Sequence, residues 1–223
     1  MKERPGLGRP SEIIPVTETG RARRVIEAGG VIAFRTDTFY GLGADPFNKE
    51  AVARINRLKG REGVKPVLVV VSALEEAERF ISEETRLFKK LTEHYWPGAM
   101  TVVCNARPTV PRGITAGSGT VGIRLPFDEE VRELVKACGG ALTATSANPA
   151  GEPPARTAPE VSGYFPSELD LIVDGGAART LKPSTVIDVS QVHPRLIREG
   201  EITRANLEKF LDALGEKLYP PNP

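Results

Sequence analysis

The chain has few of the residues that most often carry chemistry. Its 223 residues include two cysteines, two histidines and one tryptophan. Cys104 and Cys138 stand far apart, with no CxxC pair and no nearby histidine. That pattern excludes a zinc site or a thioredoxin-type motif and leaves two reduced core thiols. His94 and His193 are distant from one another, so a His-based metal centre or a Ser/His triad is a poor fit. The phosphate-binding GxxxxGK[ST] loop, a GxGxxG turn between strand and helix, HxxxH, GxSxG and the kinase signatures are all missing. No stretch approaches the roughly 18 consecutive apolar residues that span a bilayer. Residues 1–12 are polar and rich in Pro and Gly, unlike a signal peptide. A cytoplasmic protein without membrane association is expected. Neither sign of charge dominates, with 30 Lys and Arg against 29 Asp and Glu. This balance argues against a surface coated in basic residues for gripping nucleic acid.

What is present is ordinary for a globular chain: 40% hydrophobic and 26% charged residues, too apolar for disorder. Helix and strand signals alternate. Ala22, Val25 and Ile26 fall at helical spacing before Gly29 and Gly30, and Val31 to Phe34 read as a strand. Asn48 caps a helix carrying Val52, Ile55 and Leu58 inward. Val67 to Val71 read as a strand buried on both faces. Ser72 and Ser82 open two further helical stretches. Strands follow at Thr101 to Cys104, Val121 to Arg124 and Ala141 to Thr145, with an amphipathic helix through Val131, Leu134 and Cys138. A long loop runs from Ser146 to Ala158. Further strands are expected at Leu169 to Val173, Thr185 to Val189 and Arg195 to Ile197. Thr203 caps a last helix, and the tail from Tyr219 reads as frayed. The spacing predicts a single α/β domain with a large mixed β-sheet flanked by helices. An N-terminal arm (1–16), a main domain (17–202) and a C-terminal helix and tail (203–223) divide the chain.

Polar residues gather at strand ends. Arg54, Arg57, Lys59, Arg61 and Lys65 crowd a helix end and the loop before a strand, opposed by Glu62. Cations at a helix C-terminus are favoured by the macrodipole, so a capped, solvated end explains them. Taken alone that reading is preferred. Lys59 and Arg61, however, flank Gly60 where the helix stops, and Lys65-Pro66 leads into the sheet, so cations there could converge on a polyanion at the strand edge. Thr143 to Asn148 offers neutral donors and acceptors suited to a phosphate ester, a ribose or an amino acid, or simply a polar turn begun by Asn148-Pro149. Arg35 to Gly43, Pro183-Ser184-Thr185 and Arg198-Glu199-Gly200 also leave or enter strands. Polar clusters at strand ends point to one cleft holding a small anionic ligand, where open α/β sheets bind. They indicate no particular reaction.

Taken in order, these segments resemble the YrdC family of threonylcarbamoyl-AMP synthases. The resemblance rests on Arg35-Thr36-Asp37-Thr38-Phe39-Tyr40-Gly41-Leu42-Gly43, Lys59-Gly60-Arg61 with Lys65-Pro66, Trp96-Pro97-Gly98, Thr120 to Arg124, Thr145 to Asn148, Asp174-Gly175-Gly176, Pro183 to Val186 and Ile197 to Gly200. It implies a twisted, open mixed α/β sheet with a basic concave cleft, and makes 17–202 the catalytic domain. It also implies conversion of L-threonine, bicarbonate and ATP to threonylcarbamoyl-AMP and pyrophosphate. A partner ligase complex would then transfer the threonylcarbamoyl group to tRNA, with weak tRNA binding by the chain itself as a further contact. By resemblance, Lys59, Arg61, Ser146 and Asn148 form a functional tetrad around ATP. Lys65, Thr120 and Arg198 would be further nucleotide contacts. Thr36, Thr38, Tyr40, Arg124, Ala144 and Ser184 would form the threonine pocket. Mg²⁺ would accompany ATP with few or no direct protein ligands, Asp37 serving the turn rather than the metal.

Three positions depart from the family pattern. Arg35 stands where a proline is usual, Val70 where many members carry a histidine, and Glu199 where a proline commonly follows the arginine. Arg-Glu-Gly also occurs in the YciO paralogues, which typically lack the Lys-x-Arg and Ser-x-Asn pairs present here. The extra C-terminal domain of longer members is not expected. A YciO-like paralogue and a non-catalytic RNA-binding member remain the alternatives.

Overall fold

The computed structural model describes residues 10–60, 65–180 and 182–220. Its strands are β1 (Ile13–Pro15), β2 (Ile32–Arg35), β3 (Tyr40–Gly43), β4 (Val69–Val71), β5 (Met100–Asn105), β6 (Thr120–Arg124), β7 (Ala141–Thr143), β8 (Thr145–Ser146), β9 (Leu171–Asp174), β10 (Thr185–Asp188) and β11 (Arg195–Arg198). Its helices are α1 (Thr19–Glu27), α2 (Lys49–Leu58), α3 (Arg86–Tyr95), α4 (Arg112–Thr115), α5 (Glu129–Ala137), α6 (Ala158–Tyr164) and α7 (Arg204–Ala213).

The expected mixed α/β architecture is present, with its strands shared between two sheets. A five-stranded sheet runs in the order β1-β9-β2-β3-β8, and a six-stranded sheet in the order β11-β10-β5-β6-β4-β7. The five-stranded sheet has apolar neighbours on both faces. Successive β2 side chains point to opposite sides, so Ile32 and Phe34 join α1 and α5 in one cluster while Ala33 joins α2 and α6 in another. This explains the unbroken apolar run at Val31 to Phe34. The six-stranded sheet is different. One face carries Val69, Val71, Val102, Cys104, Val121, Ile123 and Ile187, packed against residues of α3 and α7. The alternate positions Thr101, Val103, Gly122, Arg124, Val186 and Asp188 line a cavity. Fully burying a single Val or Phe contributes about 1.5–3 kcal/mol, so the packed face fixes the register.

Several boundaries differ from the sequence reading. Asn48 caps α2 as expected, its side chain accepting from the backbone N–H of Glu50 and Ala51. Ser72 precedes only a 3-10 turn (Leu74–Arg79), and the cap of α3 is Thr85 rather than Ser82, since Thr85 accepts from Phe88 N–H. The loop expected after Ser146 is present over residues 147–157, and it ends in α6, capped by Thr157, a helix that the sequence reading did not include. Gly41-Leu42-Gly43 forms most of β3, a strand that the sequence reading did not include, paired with β2. Within the expected N-terminal arm, β1 pairs parallel with β9. At the C-terminus, Tyr219 bridges to Arg195 and Leu218 is buried, so the tail is held through that point.

The strand expected over Ala141 to Thr145 is broken at Ala144. Thr143 pairs with Val69 in the six-stranded sheet, and Thr145 with Leu42 in the five-stranded one. The backbone N–H of Ala144 itself donates to Leu68 O at 2.8 Å. The chain therefore passes from one sheet to the other across a single residue, and the cavity lies along this seam.

Candidate functional site

The cavity has a volume of about 810 Å³ and draws its lining from both sheets. Of the residues expected at the site, Thr36, Thr38, Tyr40, Thr120, Arg124, Ala144, Ser146, Ser184 and Arg198 line it.

One end is built around the β2–β3 turn. Thr36 N–H donates to Phe39 O at 3.0 Å, and Thr36 Oγ1 donates to the same carbonyl at 2.7 Å. Thr38 N–H closes on Thr36 Oγ1, and the two threonine hydroxyl oxygens are 3.1 Å apart. The short polar side chains thus satisfy a turn that the backbone alone would leave open. Tyr40 contributes its ring to the lining, while its hydroxyl donates to Asp174 Oδ1 and Gly176 O and accepts from Gly175 N–H. Burial, then Asp174, raise the phenol pKa well above the ordinary tyrosine value, so the hydroxyl stays a donor.

Arg124 enters this end from β6. Its Nε donates to Gly98 O at 3.0 Å and its Nη1 to Thr38 Oγ1 at 3.2 Å, while Nη2 lies 2.6 Å from Asp37 Oδ2. The Arg124 and Asp37 side chains are 3% and 11% exposed. Burial lowers the guanidinium pKa and Asp37 opposes that shift. Arg198 reaches in from β11, donating from Nε and Nη2 to Ser184 O and from Nη2 to Ser184 Oγ. Ser184 Oγ lies 2.9 Å from Thr101 Oγ1. The Arg198 pKa is lowered first by burial and then by the Arg124 charge, which puts two guanidinium groups in one electrostatic field. Carboxylates and phosphates are the ligands such a pair favours.

Further along the seam, Lys59 caps the end of α2 and Gly60 turns the chain at a φ of +58°, in the left-handed region that glycine tolerates. The Lys59 side chain is buried and its ammonium turns to the Ser146–Asn148 segment. It donates to Ser146 O, Asn148 O (2.6 Å) and Asn148 Oδ1 (3.0 Å), with Ser146 Oγ at 3.2 Å. Asn148 Nδ2 in turn donates to Pro149 O and Glu152 O. Lys59, Ser146 and Asn148 are therefore brought together, with Ser146 at the cavity wall. Arg61, the fourth member of the expected tetrad, lies outside the described residues. Lys65 is exposed, immediately before Pro66 in the cavity lining.

The sequence reading placed Gly98 and Ile197 in family segments without a role at the site; the structure shows the Gly98 carbonyl anchoring Arg124 and Ile197 lining the cavity, together with Thr101 and Asp188, which that reading missed. Period-two alternation along β5 and β10 was the available signal for Thr101 and Asp188; nothing local marks a backbone carbonyl. Among the described residues no group of three or more His, Cys, Asp or Glu could hold a metal ion. His94 stacks on Phe210 and His193 on Tyr219, which accounts for both histidines in packing.

Known proteins resemble the chain in sequence and in fold. The family model Sua5/YciO/YrdC, described as "Telomere recombination", matches residues 24–200. The threonylcarbamoyl-AMP synthase of Pyrococcus abyssi is 35% identical over 195 residues, covering 87% of this chain and 57% of that protein. The threonylcarbamoyl-AMP synthase of Cellvibrio japonicus is 36% identical over 168 residues, covering 75% of this chain and 89% of that protein. The crystal structure of P. abyssi Sua5 complexed with L-threonine superposes with a TM-score of 0.86 at 32% identity, covering 94% of this chain and 62% of that one. The chain thus spans little more than half the length of its Pyrococcus relative and most of its Cellvibrio relative. With more than half of its residues matched by the model and its polar segments converging on one seam, the chain belongs to the Sua5/YciO/YrdC family.

Proposed function

We propose that the chain is a threonylcarbamoyl-AMP synthase, joining L-threonine, bicarbonate and ATP to give threonylcarbamoyl-AMP and pyrophosphate. The observation that carries this reading is the meeting of Arg124 with Thr38 and of Arg198 with Ser184 on the wall of one cavity, which also holds Ser146, the residue whose turn Lys59 anchors. Arg124 would take the threonine carboxylate, and the Thr36 and Thr38 hydroxyls, Ser184 and the backbone at Ala144 would surround the rest of the amino acid. Thr120, Ser146, Asn148, Arg198 and Lys65 would face the nucleotide, together with Arg61.

In this scheme the threonine amine adds to the bicarbonate carbon with loss of water, giving a carbamate. A carbamate oxygen then attacks the α-phosphorus of ATP; the bond from that phosphorus to the β-bridging oxygen breaks, and pyrophosphate leaves. No protein nucleophile takes part, so the chain's work is positioning and electrostatic stabilisation of the charge that moves onto pyrophosphate. Lys59 would contribute by holding the turn that presents Ser146. Mg²⁺ would arrive on the ATP phosphates as part of the substrate and screen their charge.

The product, a mixed anhydride, suits transfer to a tRNA adenosine by a partner ligase complex, with a weak tRNA contact by this chain. These partners imply a cytoplasmic location, and no described helix is long and apolar enough to cross a membrane. The test is mass spectrometry of a reaction holding ATP, Mg²⁺, L-threonine and bicarbonate, with pyrophosphate release followed in parallel. A threonylcarbamoyl-AMP peak that requires both threonine and bicarbonate is expected. A folded, ATP-binding protein that yields none would overturn the reading in favour of a YciO-like or RNA-binding member.

A further inference from the structure

Arg124 is held on two of its three nitrogens, Nε by Gly98 O and Nη1 by Thr38 Oγ1. The third, Nη2, has the charge of Asp37 at 2.6 Å but no aligned hydrogen bond, and it is buried. The other carboxylate oxygen, Asp37 Oδ1, is also buried without a hydrogen-bond partner among the described residues. Asp37 Oδ2 receives one N–H, from Phe127 at 3.3 Å. The pair is therefore close in charge and poorly satisfied in geometry. An Arg124 N–H is left to spend on a further acceptor, in a residue that lines the cavity.

We propose that Asp37 is a positioning residue that holds Arg124 for the substrate carboxylate and competes with that carboxylate for it. The inference rests on the synthase reading for the identity of the amino acid and for Arg124 as the group that takes its carboxylate. Two carboxylates sharing one buried guanidinium repel each other, so the incoming anion binds more weakly than it would to Arg124 alone. Replacing Asp37 by the near-isosteric Asn leaves a buried cation without its counter-charge, a costly state that a ligand carboxylate relieves. Affinity for the carboxylate then rises. Turnover falls, because the guanidinium has lost the charge that fixes its third nitrogen. A residue that merely supports the turn would lower both affinity and turnover.

The test compares wild type, Asp37→Asn and Asp37→Glu by calorimetric binding of L-threonine and of L-threoninol, which lacks the carboxylate, beside pyrophosphate release. For Asp37→Asn the threonine Kd is expected to fall about tenfold and kcat to fall about tenfold, the scale of one charge-assisted contact. Its threoninol affinity should stay within about twofold of wild type, because the competition involves only the carboxylate. Threonine binding that is unchanged or weaker, or a threoninol shift of the same size, overturns the inference. Asp37→Glu keeps the charge and decides the matter where the Asn variant does not fold. It should hold threonine within about threefold of wild type while kcat falls about fivefold or more, as expected when a guanidinium is displaced by a methylene length. A wild-type kcat in that variant overturns the inference, as does a wild-type protein that binds no threonine. Threonine binding that follows this pattern without threonylcarbamoyl-AMP formation would instead overturn the synthase reading and leave the role of Asp37 standing.

Discussion

Lys59 and Asn148 lie 89 positions apart in sequence, yet Lys59 Nζ sits 2.6 Å from the Asn148 carbonyl oxygen and 3.0 Å from its Oδ1. The ammonium is used as a three-donor knot that ties the end of α2 to the segment leaving β8. Replacing it by Met keeps the length and leaves Asn148 O and Oδ1 without this donor, while Ser146 O keeps the N–H of Asn148. Each unpaired buried acceptor costs about 1–3 kcal/mol. Lys59→Met should therefore lower both product formation and the urea midpoint of unfolding. Loss of activity with an unchanged midpoint would instead place the ammonium on the nucleotide.

Arg35 and Asp128 form a second buried pair at 2.7 Å, with side chains 4% and 2% exposed. Asp128 also caps α5 by accepting from Glu130 N–H, and Arg179 approaches it at 3.3 Å. Breaking a buried pair from one side costs about 3–5 kcal/mol; with Arg179 still beside Asp128, Arg35→Met should fall near the lower end. Urea unfolding measures the loss. The double variant Arg35→Met with Asp128→Asn should recover part of it, because the charges left without a partner, Arg179 and Glu130, are exposed rather than buried.

Burial pushes both thiols, Cys104 and Cys138, up to about 12 from 9.0. The folded state therefore keeps a proton that the unfolded chain releases above about pH 9. Stability from these groups is complete below pH 9 and is lost as pH rises toward 12, at up to about 1.4 kcal/mol per group per pH unit. Thermal unfolding between pH 8 and pH 11 should show a falling midpoint. The Cys104→Ala, Cys138→Ala double variant should start lower and decline less steeply. An equal slope in both proteins would remove the thiols as its cause.

Arg198 holds Ser184 through both its carbonyl and its hydroxyl. Arg198→Met should raise the ATP KM about tenfold, the scale of one lost charged contact. The threonine KM should move less, since Arg124 keeps its own partners. Steady-state kinetics with each substrate varied in turn checks this. A larger effect on threonine than on ATP would move Arg198 to the amino-acid end.

The sequence made the helices with clear caps legible. Asn48 before α2 and Thr203 before α7 both accept from the helix backbone as their residue types imply. It misled where short polar residues compete for the same task, as with Ser82 and Thr85. β3 was hidden because two of its four residues are glycine, which carries no periodicity; only Leu42 and Tyr40 bury side chains there. At the site, resemblance gathered residues that the structure also brings together, notably Lys59 with Ser146 and Asn148. It could not show that the Lys59 ammonium is turned into the protein, or that Asp37 faces Arg124, because both facts depend on contacts between distant segments.

The passage of the chain between sheets at Ala144 carries one more consequence. Gly41 runs beside it so closely that a Cβ placed there would lie 3.6 Å from Ala144 Cα and 3.7 Å from its Cβ. The walls of the cleft are thus spaced by two backbones in near contact, much as a book's spine spaces its covers. Both residues line the cavity, so a side chain larger than a methyl at Gly41 would have to part this seam or enter the cleft.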